Sequence, residues 1–105
     1  MLINSRKNSQ TNRMYSSEQE LVDHFISSID HQLSPWGIAG VNTEFNYARG
    51  KTDIVIIDRN GAVIAIEAKL DKWKYAIHQA YRNRCFANQS YVLLPTESYQ
   101  IACFM

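Results

Sequence analysis

The feature that most constrains the fold is a pair of apolar, β-branched segments joined by a short polar turn. Residues 52–58 read TDIVIID and residues 62–70 read AVIAIEAKL, with Arg59-Asn60-Gly61 between them. Apolar residues occupy consecutive positions in both segments, which is typical of strands buried on both faces. An Asn-Gly pair between two such runs is a strong hairpin signal. The sequence therefore predicts an antiparallel strand pair at the centre of a sheet.

Apolar periodicity extends this hairpin into a complete α/β domain. Ser17 and Glu20 form a capping box before a stripe of apolar residues at helical spacing, which ends at Ser34-Pro35. The predicted elements are a helix over 17–33, strands over 41–48, 52–58 and 62–70, a helix from about 71 to 87, and a strand over 90–95. The residues expected on the buried face of the second helix are Trp73, Ala76, Ile77, Ala80 and Tyr81. The order αβββαβ predicts an antiparallel meander of three strands, with the fourth parallel to the third. We expect an α/β fold with a mixed four-stranded sheet and a helix on each face.

Length and composition limit the other classes of protein. The 105 residues suit one domain, which we expect over 17–105 after a polar, basic arm over 1–16. No apolar run approaches the roughly 20 residues of a membrane-spanning helix, and the start of the chain lacks the apolar segment of a secretory signal. We therefore expect a cytoplasmic protein with no membrane segment. Cys85 and Cys103 are too few for a disulfide scaffold, and we expect buried thiols.

Charge is segregated along the chain although the net charge is only +1. Residues 69–84 carry five cations against the single acid Asp71. A basic segment of this kind is typical of a surface that meets phosphate, and a solvated helix face is the alternative. The sequence predicts a nucleic-acid-binding face that includes Lys72, Lys74 and Arg82.

Three ionisable side chains near the central hairpin form a candidate catalytic group. Glu67 and Lys69 share one face of their strand because side chains alternate. Asp53 lies on the same face only if it is directly opposite Glu67 in the antiparallel pair. Opposite residues in such a pair have numbers with a constant sum, which for Asp53 and Glu67 is 120. A two-residue turn would give 121 and opposite faces, so the site needs a three-residue loop with Gly61 at positive φ, or a bulge elsewhere in either strand. Two converging carboxylates would then suit Mg²⁺ or Mn²⁺, beside a lysine that can stabilise phosphate charge.

These residues, in this order of elements, resemble the PD-(D/E)XK nuclease superfamily. The resemblance spans about residues 17–95 and centres on Asp53 and the Glu67-Ala68-Lys69 triplet. It implies a restriction-endonuclease-like fold and metal-dependent hydrolysis of DNA phosphodiester bonds. Asp53, Glu67 and the carbonyl of Ala68 would bind Mg²⁺ or Mn²⁺, and Lys69 would act on the water. Thr52 occupies the position where the superfamily often has proline. This difference concerns which subfamily the chain resembles and not the expected fold.

The same resemblance implies further site residues outside the hairpin. Gln79, on the helix after the triplet, matches a glutamine that faces the site in some members. The superfamily usually adds an acid from its first helix, where Glu18 and Glu20 compete. We favour Glu18, because Glu20 lies opposite the apolar stripe whereas Glu18 projects within it. Many small nucleases of the type that this chain resembles are dimers, so we expect a homodimer. The expected partner is nucleic acid.

Two other interpretations remain open from the sequence. The chain can be a non-catalytic, nuclease-like module that binds nucleic acid or a protein partner. Alternatively, Glu67 and Lys69 form a structural ion pair in an unrelated αβ domain. A requirement for a divalent cation at Asp53 and Glu67 separates the enzyme from both.

Overall fold

The computed structural model describes residues 2–4, 15–29, 36–48, 50–71, 73–95 and 100–103. The elements in chain order are β1 (Leu2–Asn4), α1 (Glu18–Ser28), β2 (Ile38–Tyr47), β3 (Gly50–Asp58), β4 (Val63–Ala68), α2 (Trp73–Asn83), β5 (Gln89–Leu94) and β6 (Gln100–Cys103). Neither of these two helices has the length and apolar character needed to cross a membrane.

The strands form one mixed sheet in the order β1-β6-β5-β4-β3-β2. The meander β2-β3-β4 is antiparallel, and β5 is parallel to β4 after the α2 crossover. These four strands and both helices confirm the predicted α/β core. The sequence interpretation did not foresee the antiparallel additions β6 and β1. Strand β1 lies in the segment 1–16 that we expected to be an irregular arm, and three residues are too few to produce a periodic signal.

The two helices cover opposite faces of the sheet. Helix α1 packs Leu21, Val22 and Phe25 against the large central core, which includes Ile54, Ile56, Ile64, Ile66, Tyr91 and Leu93. Helix α2 packs Ala76 and Ala80 against Val92, whose side chain points away from those of its neighbours Tyr91 and Leu93. The small alanines let α2 lie close to the sheet. A helix therefore lies on each face, as predicted.

The orientation of α2 differs from the sequence prediction. Of the residues expected on its buried face, Ala76 and Ala80 are buried, whereas Trp73 and Tyr81 are 51% and 54% exposed. Asn83, which was not expected there, is also buried, because the sheet presents the buried Glu67 carboxylate opposite α2. Helix α2 also ends earlier than predicted, and Cys85, just after it, is exposed rather than buried.

The start of α1 agrees with the capping prediction. The Ser17 hydroxyl accepts a hydrogen bond of 3.1 Å from the backbone N–H of Glu20, which satisfies one free donor of the first turn. The Glu20 carboxylate accepts a bond of 2.7 Å from the Ser16 hydroxyl. The helix ends at Ser28, and the remainder of the predicted span, to residue 33, lies outside the described residues apart from Ile29.

The register of the central hairpin is the one that the candidate site requires. The pairs Ile54↔Ile66 and Ile56↔Ile64 both have residue numbers that sum to 120. Gly61 has φ 85°, and its N–H donates to the carbonyl of Asp58 over 3.0 Å. The Asp58 carboxylate stabilises the loop by accepting bonds from the N–H groups of Asn60 and Ala62. The predicted three-residue loop and left-handed Gly61 are confirmed.

We expect Gly61→Ala to lower the free energy of unfolding by about 1 kcal/mol, because a Cβ is unfavourable at positive φ. A Cβ at Gly61 would contact nothing within 4 Å, so the effect isolates backbone conformation. Gly40→Ala is the matched control, since a Cβ there also meets no atom within 4 Å and no left-handed conformation is involved. Urea unfolding of the two variants tests this, and equal losses of stability would contradict it.

Candidate active site

The confirmed register brings the carboxyl groups of Asp53 and Glu67 together at the end of the central hairpin. They lie close enough for Asp53 to add to the effect of burial in raising the pKa of Glu67. Asp53 is half-buried, and its Oδ2 accepts a bond of 2.8 Å from the backbone N–H of Ala68. Glu67 is only 1% exposed. Ala68 thus orients Asp53 through its backbone, while its side chain packs in the core beneath α1.

A buried asparagine on α2 holds the other side of Glu67. Asn83 donates from Nδ2 to Glu67 Oε2 over 2.7 Å. Its Oδ1 accepts bonds of 2.8 Å from the hydroxyls of Tyr47 and Thr52. Both lone pairs of the amide oxygen are therefore used, and the network is closed around the carboxylate. The sequence analysis missed Asn83, and it read Thr52 only as a departure from the usual proline.

The β2–β3 strand pair is strongly twisted at the position of Asp53, so that side chains on either side of it point to different faces of the sheet. Ile54 packs in the core beneath α1, whereas Thr52, two residues earlier, bonds to Asn83 of α2. Residues two apart in a regular strand would share a face. In the paired strand, Glu44 has φ 53°, a left-handed conformation that is uncommon outside glycine. The local twist directs Thr52 and Tyr47 toward α2 and leaves Asp53 beside Glu67.

Lys69 and Glu18 lie together just beyond the end of β4. The Lys69 ammonium is 4.0 Å from Glu18 Oε2, which also accepts a bond of 3.4 Å from the backbone N–H of Leu70. Lys69 is therefore paired with Glu18 of α1, whereas Glu67 bonds to Asn83 of α2. For Glu67 and Lys69, both among the described residues, the structure shows neither the predicted common face nor an ion pair between them. The structure brings Glu18, rather than Glu20, from the first turn of α1 to this end of the sheet.

Gln79 carries an unsatisfied polar atom. Its side-chain Oε1 is buried and has no hydrogen-bond partner among the described residues. Gln79 lies one helical turn before Asn83, on the same side of α2, because residues four apart are neighbours on a helix. A buried acceptor without a partner costs free energy unless a water, an ion or a ligand satisfies it.

The predicted nucleic-acid-binding residues have different environments. Arg82 is half-buried, where Nε donates to the Tyr47 hydroxyl over 3.0 Å and a terminal nitrogen donates to the Lys51 carbonyl over 3.3 Å. Its guanidinium lies so close to Gly50 that a Cβ there would come within 3.1 Å of it. Lys74 is exposed, and Lys72 lies outside the described residues. Arg82 thus supports the Asn83 network, and its predicted contact with nucleic acid stays a prediction.

The carboxyl group of Glu67 has a shifted pKa. Burial raises the pKa of Glu67 to about 7, the hydrogen bond from Asn83 and the charge of Arg82 oppose the rise, and the neighbouring Asp53 adds to it. Among the described residues, no cluster of three or more His, Cys, Asp or Glu side chains gathers at any point. The candidate centre therefore consists of two carboxylates, one of which is protonated over part of the neutral range.

Comparisons with models of known protein families, with curated proteins and with solved structures gave no match to this chain.

We expect Asn83→Ala to lower the free energy of unfolding by about 2–3 kcal/mol, because it leaves the buried Glu67 carboxylate and the Thr52 hydroxyl without their partner. Asn42→Ala on the exposed part of β2 is the control and should change stability by less than about 0.5 kcal/mol. Urea unfolding measures both. Equal stability of the two variants would show that the network contributes little to folding.

The raised pKa of Glu67 predicts a specific pH dependence of stability. Because the folded state holds this proton up to about pH 7 and the unfolded chain releases it near 4.5, the favourable contribution is lost as pH rises through this interval. Glu67→Gln cannot titrate, so wild type should lose about 2–3 kcal/mol relative to it between pH 5 and 8 in EDTA. A stability difference that stays constant with pH would contradict the raised pKa.

Proposed function

We propose that this chain is a metal-dependent endonuclease of the restriction-endonuclease-like type that hydrolyses phosphodiester bonds of DNA. The observation that carries the proposal is the hairpin register, which brings the carboxyl groups of Asp53 and Glu67 together. Lys69 follows Glu67 by two residues in the sequence. A register shifted by one residue would separate these carboxylates onto opposite faces. The three-residue loop at Gly61 is therefore a condition for the proposed chemistry.

The residues fit a hard divalent cation. Besides burial, the charge of Asp53 is one cause of the raised pKa of Glu67, and a cation beside both carboxylates would balance that charge. Mg²⁺ and Mn²⁺ prefer oxygen ligands, and Mg²⁺ is commonly held by one or two carboxylates with water completing its shell. Asp53 and Glu67 would hold the cation with the Ala68 carbonyl. The buried, unpartnered oxygen of Gln79 supports the same interpretation, because a water at the centre would satisfy it.

The remaining site residues supply charge and orientation. A divalent cation would provide Lewis-acid activation of water and of the phosphate. The Lys69 ammonium, 4.0 Å from Glu18 Oε2, would stabilise negative charge that develops on the phosphate. Glu18 orients Lys69 and fixes the backbone at Leu70. Gln79 would orient water through its free acceptor.

One observation favours a second candidate, a nuclease-like module without catalysis. Glu67 is almost fully buried, and one of its oxygens is already bound by Asn83. A carboxylate used only to anchor α2 would have this environment. The module would still use the basic segment 69–84 to bind nucleic acid or a partner. The two candidates differ in whether a divalent cation binds at the carboxylates.

We expect Lys69→Ala to slow Mg²⁺- or Mn²⁺-dependent cleavage of a supercoiled plasmid by about 10²–10³-fold, because one electrostatic group at the transition state is lost. Its Mn²⁺ affinity, measured by titration calorimetry, should remain, since an ammonium is not a ligand. Glu67→Ala should lose both properties. Lys51→Ala is the matched control, because this exposed lysine pairs with Glu44 and not with the site.

Cleavage by the Lys69→Ala protein at the wild-type rate would remove Lys69 from the mechanism and with it the nuclease proposal. A wild-type protein that binds DNA but neither Mn²⁺ nor Mg²⁺ would favour the non-catalytic module. The expected homodimer stays a prediction, which sedimentation equilibrium of the full chain tests.

A further inference from the structure

The solvent side of α2 carries an unusual density of exposed aromatic side chains. Trp73, Tyr75 and Tyr81 are 51%, 65% and 54% exposed within an 11-residue helix. Lys74 and His78 are exposed between them. We call these five residues the α2 outer face. Large aromatic side chains gathered on a surface mark an interaction site more often than isolated apolar residues do.

The charge around this face identifies the kind of partner. The exposed cations on or next to this face are Lys74 and Arg84, against the exposed acid Asp71. The Arg84 guanidinium lies over the Tyr81 ring, 5.7 Å from its centre. Aromatic rings interleaved with cations suit a polymer that offers both flat bases and phosphates. Pairing of this face with a second copy of the chain would bring like charges together, which disfavours it.

The outer face begins close to the candidate site. Trp73 follows Lys69 by four residues, so their Cα atoms lie within about 14 Å of each other. The opposite side of the same helix carries Asn83, which holds Glu67. A nucleic-acid strand with a phosphate at the site can therefore extend its neighbouring bases along α2. Only unpaired bases offer a free face, because those of a duplex are already stacked on one another.

We infer that the α2 outer face binds single-stranded DNA by stacking unpaired bases on Trp73 and Tyr75, with Lys74 beside the backbone phosphates. The identification of DNA as a substrate rests on the proposed function. Together they specify a substrate that is single-stranded or contains an unpaired segment. The binding itself requires only the exposed rings and the charge of α2.

The test is DNA binding by the full chain in EDTA, where cleavage cannot occur. Fluorescence anisotropy compares labelled oligothymidylate with an abasic oligomer of equal length, which keeps the phosphates but lacks the bases. The Trp73→Ala/Tyr75→Ala protein should bind oligothymidylate more weakly than wild type by about 30-fold or more, because two base-stacking contacts are lost. Its affinity for the abasic oligomer should be that of wild type. Trp73→Phe/Tyr75→Phe should retain most of the binding.

Trp36 provides the matched control. It is 60% exposed, and the neighbouring Gly37 carbonyl accepts a bond from Arg59 in the hairpin loop, at the end of the β3–β4 pair away from Glu67. Trp36→Ala should therefore bind as wild type does. Since the chain has two tryptophans, Trp36→Phe leaves Trp73 as the only one, and oligothymidylate should quench its fluorescence.

Several results would overturn the inference. They are wild-type binding by the double alanine variant, equal wild-type affinity for thymidylate and abasic oligomers, and a stronger preference for duplex than for single strands. Dimerisation that is lost in the double alanine variant, without any base-dependent binding, would assign the face to a second copy instead. Failure of the nuclease proposal is distinguishable, because it appears as absent cleavage with base-dependent binding intact.

Discussion

The structure depends on a carboxylate buried at the end of a central strand. Removing the Glu67 carboxyl group from water is costly unless it gains hydrogen bonds or a proton. Asn83 supplies a donor, and the raised pKa of Glu67 lets the carboxyl group keep a proton up to about pH 7. Asn83 in turn needs donors for its own oxygen, which come from Thr52 and Tyr47. These hydrogen bonds therefore connect β2, β3 and β4 to α2 through the side chain of Asn83.

The same requirement determines the orientation of α2. With Asn83 turned toward Glu67, Ala76 and Ala80 face the sheet, and the helix approaches it closely. Trp73 and Tyr81 then have no room beneath the helix and project into solvent. One polar contact thus gives α2 two different surfaces. The inner one completes the candidate site, and the outer one offers rings and cations to a partner.

The site combines a closed network with an incomplete one. Around Asn83 the hydrogen bonds are satisfied on every side of the amide oxygen, and Arg82 reinforces them through Tyr47. Gln79, one turn away, has a buried oxygen with no partner among the described residues. A satisfied network holds groups rigidly, whereas an unsatisfied acceptor has a preference for an added ligand. This contrast is what a preorganised site for a cation or water requires.

The sequence alone determined the features that depend on neighbouring residues. The strand pair, its three-residue loop, the left-handed Gly61 and the Ser17 cap all follow from local turn and capping chemistry, and with them the meeting of Asp53 and Glu67. Only the tertiary structure decided that Asn83 joins the buried side of α2 while Trp73 and Tyr81 are exposed, since Asn83 is selected by a partner 16 residues away. It also decided that β1 joins β6 at the sheet edge, from segments too short to carry a pattern. Turns and helix caps depend on residues at fixed, short spacing in the sequence. The burial of a side chain depends instead on residues that are distant in the sequence and pack against it in the fold.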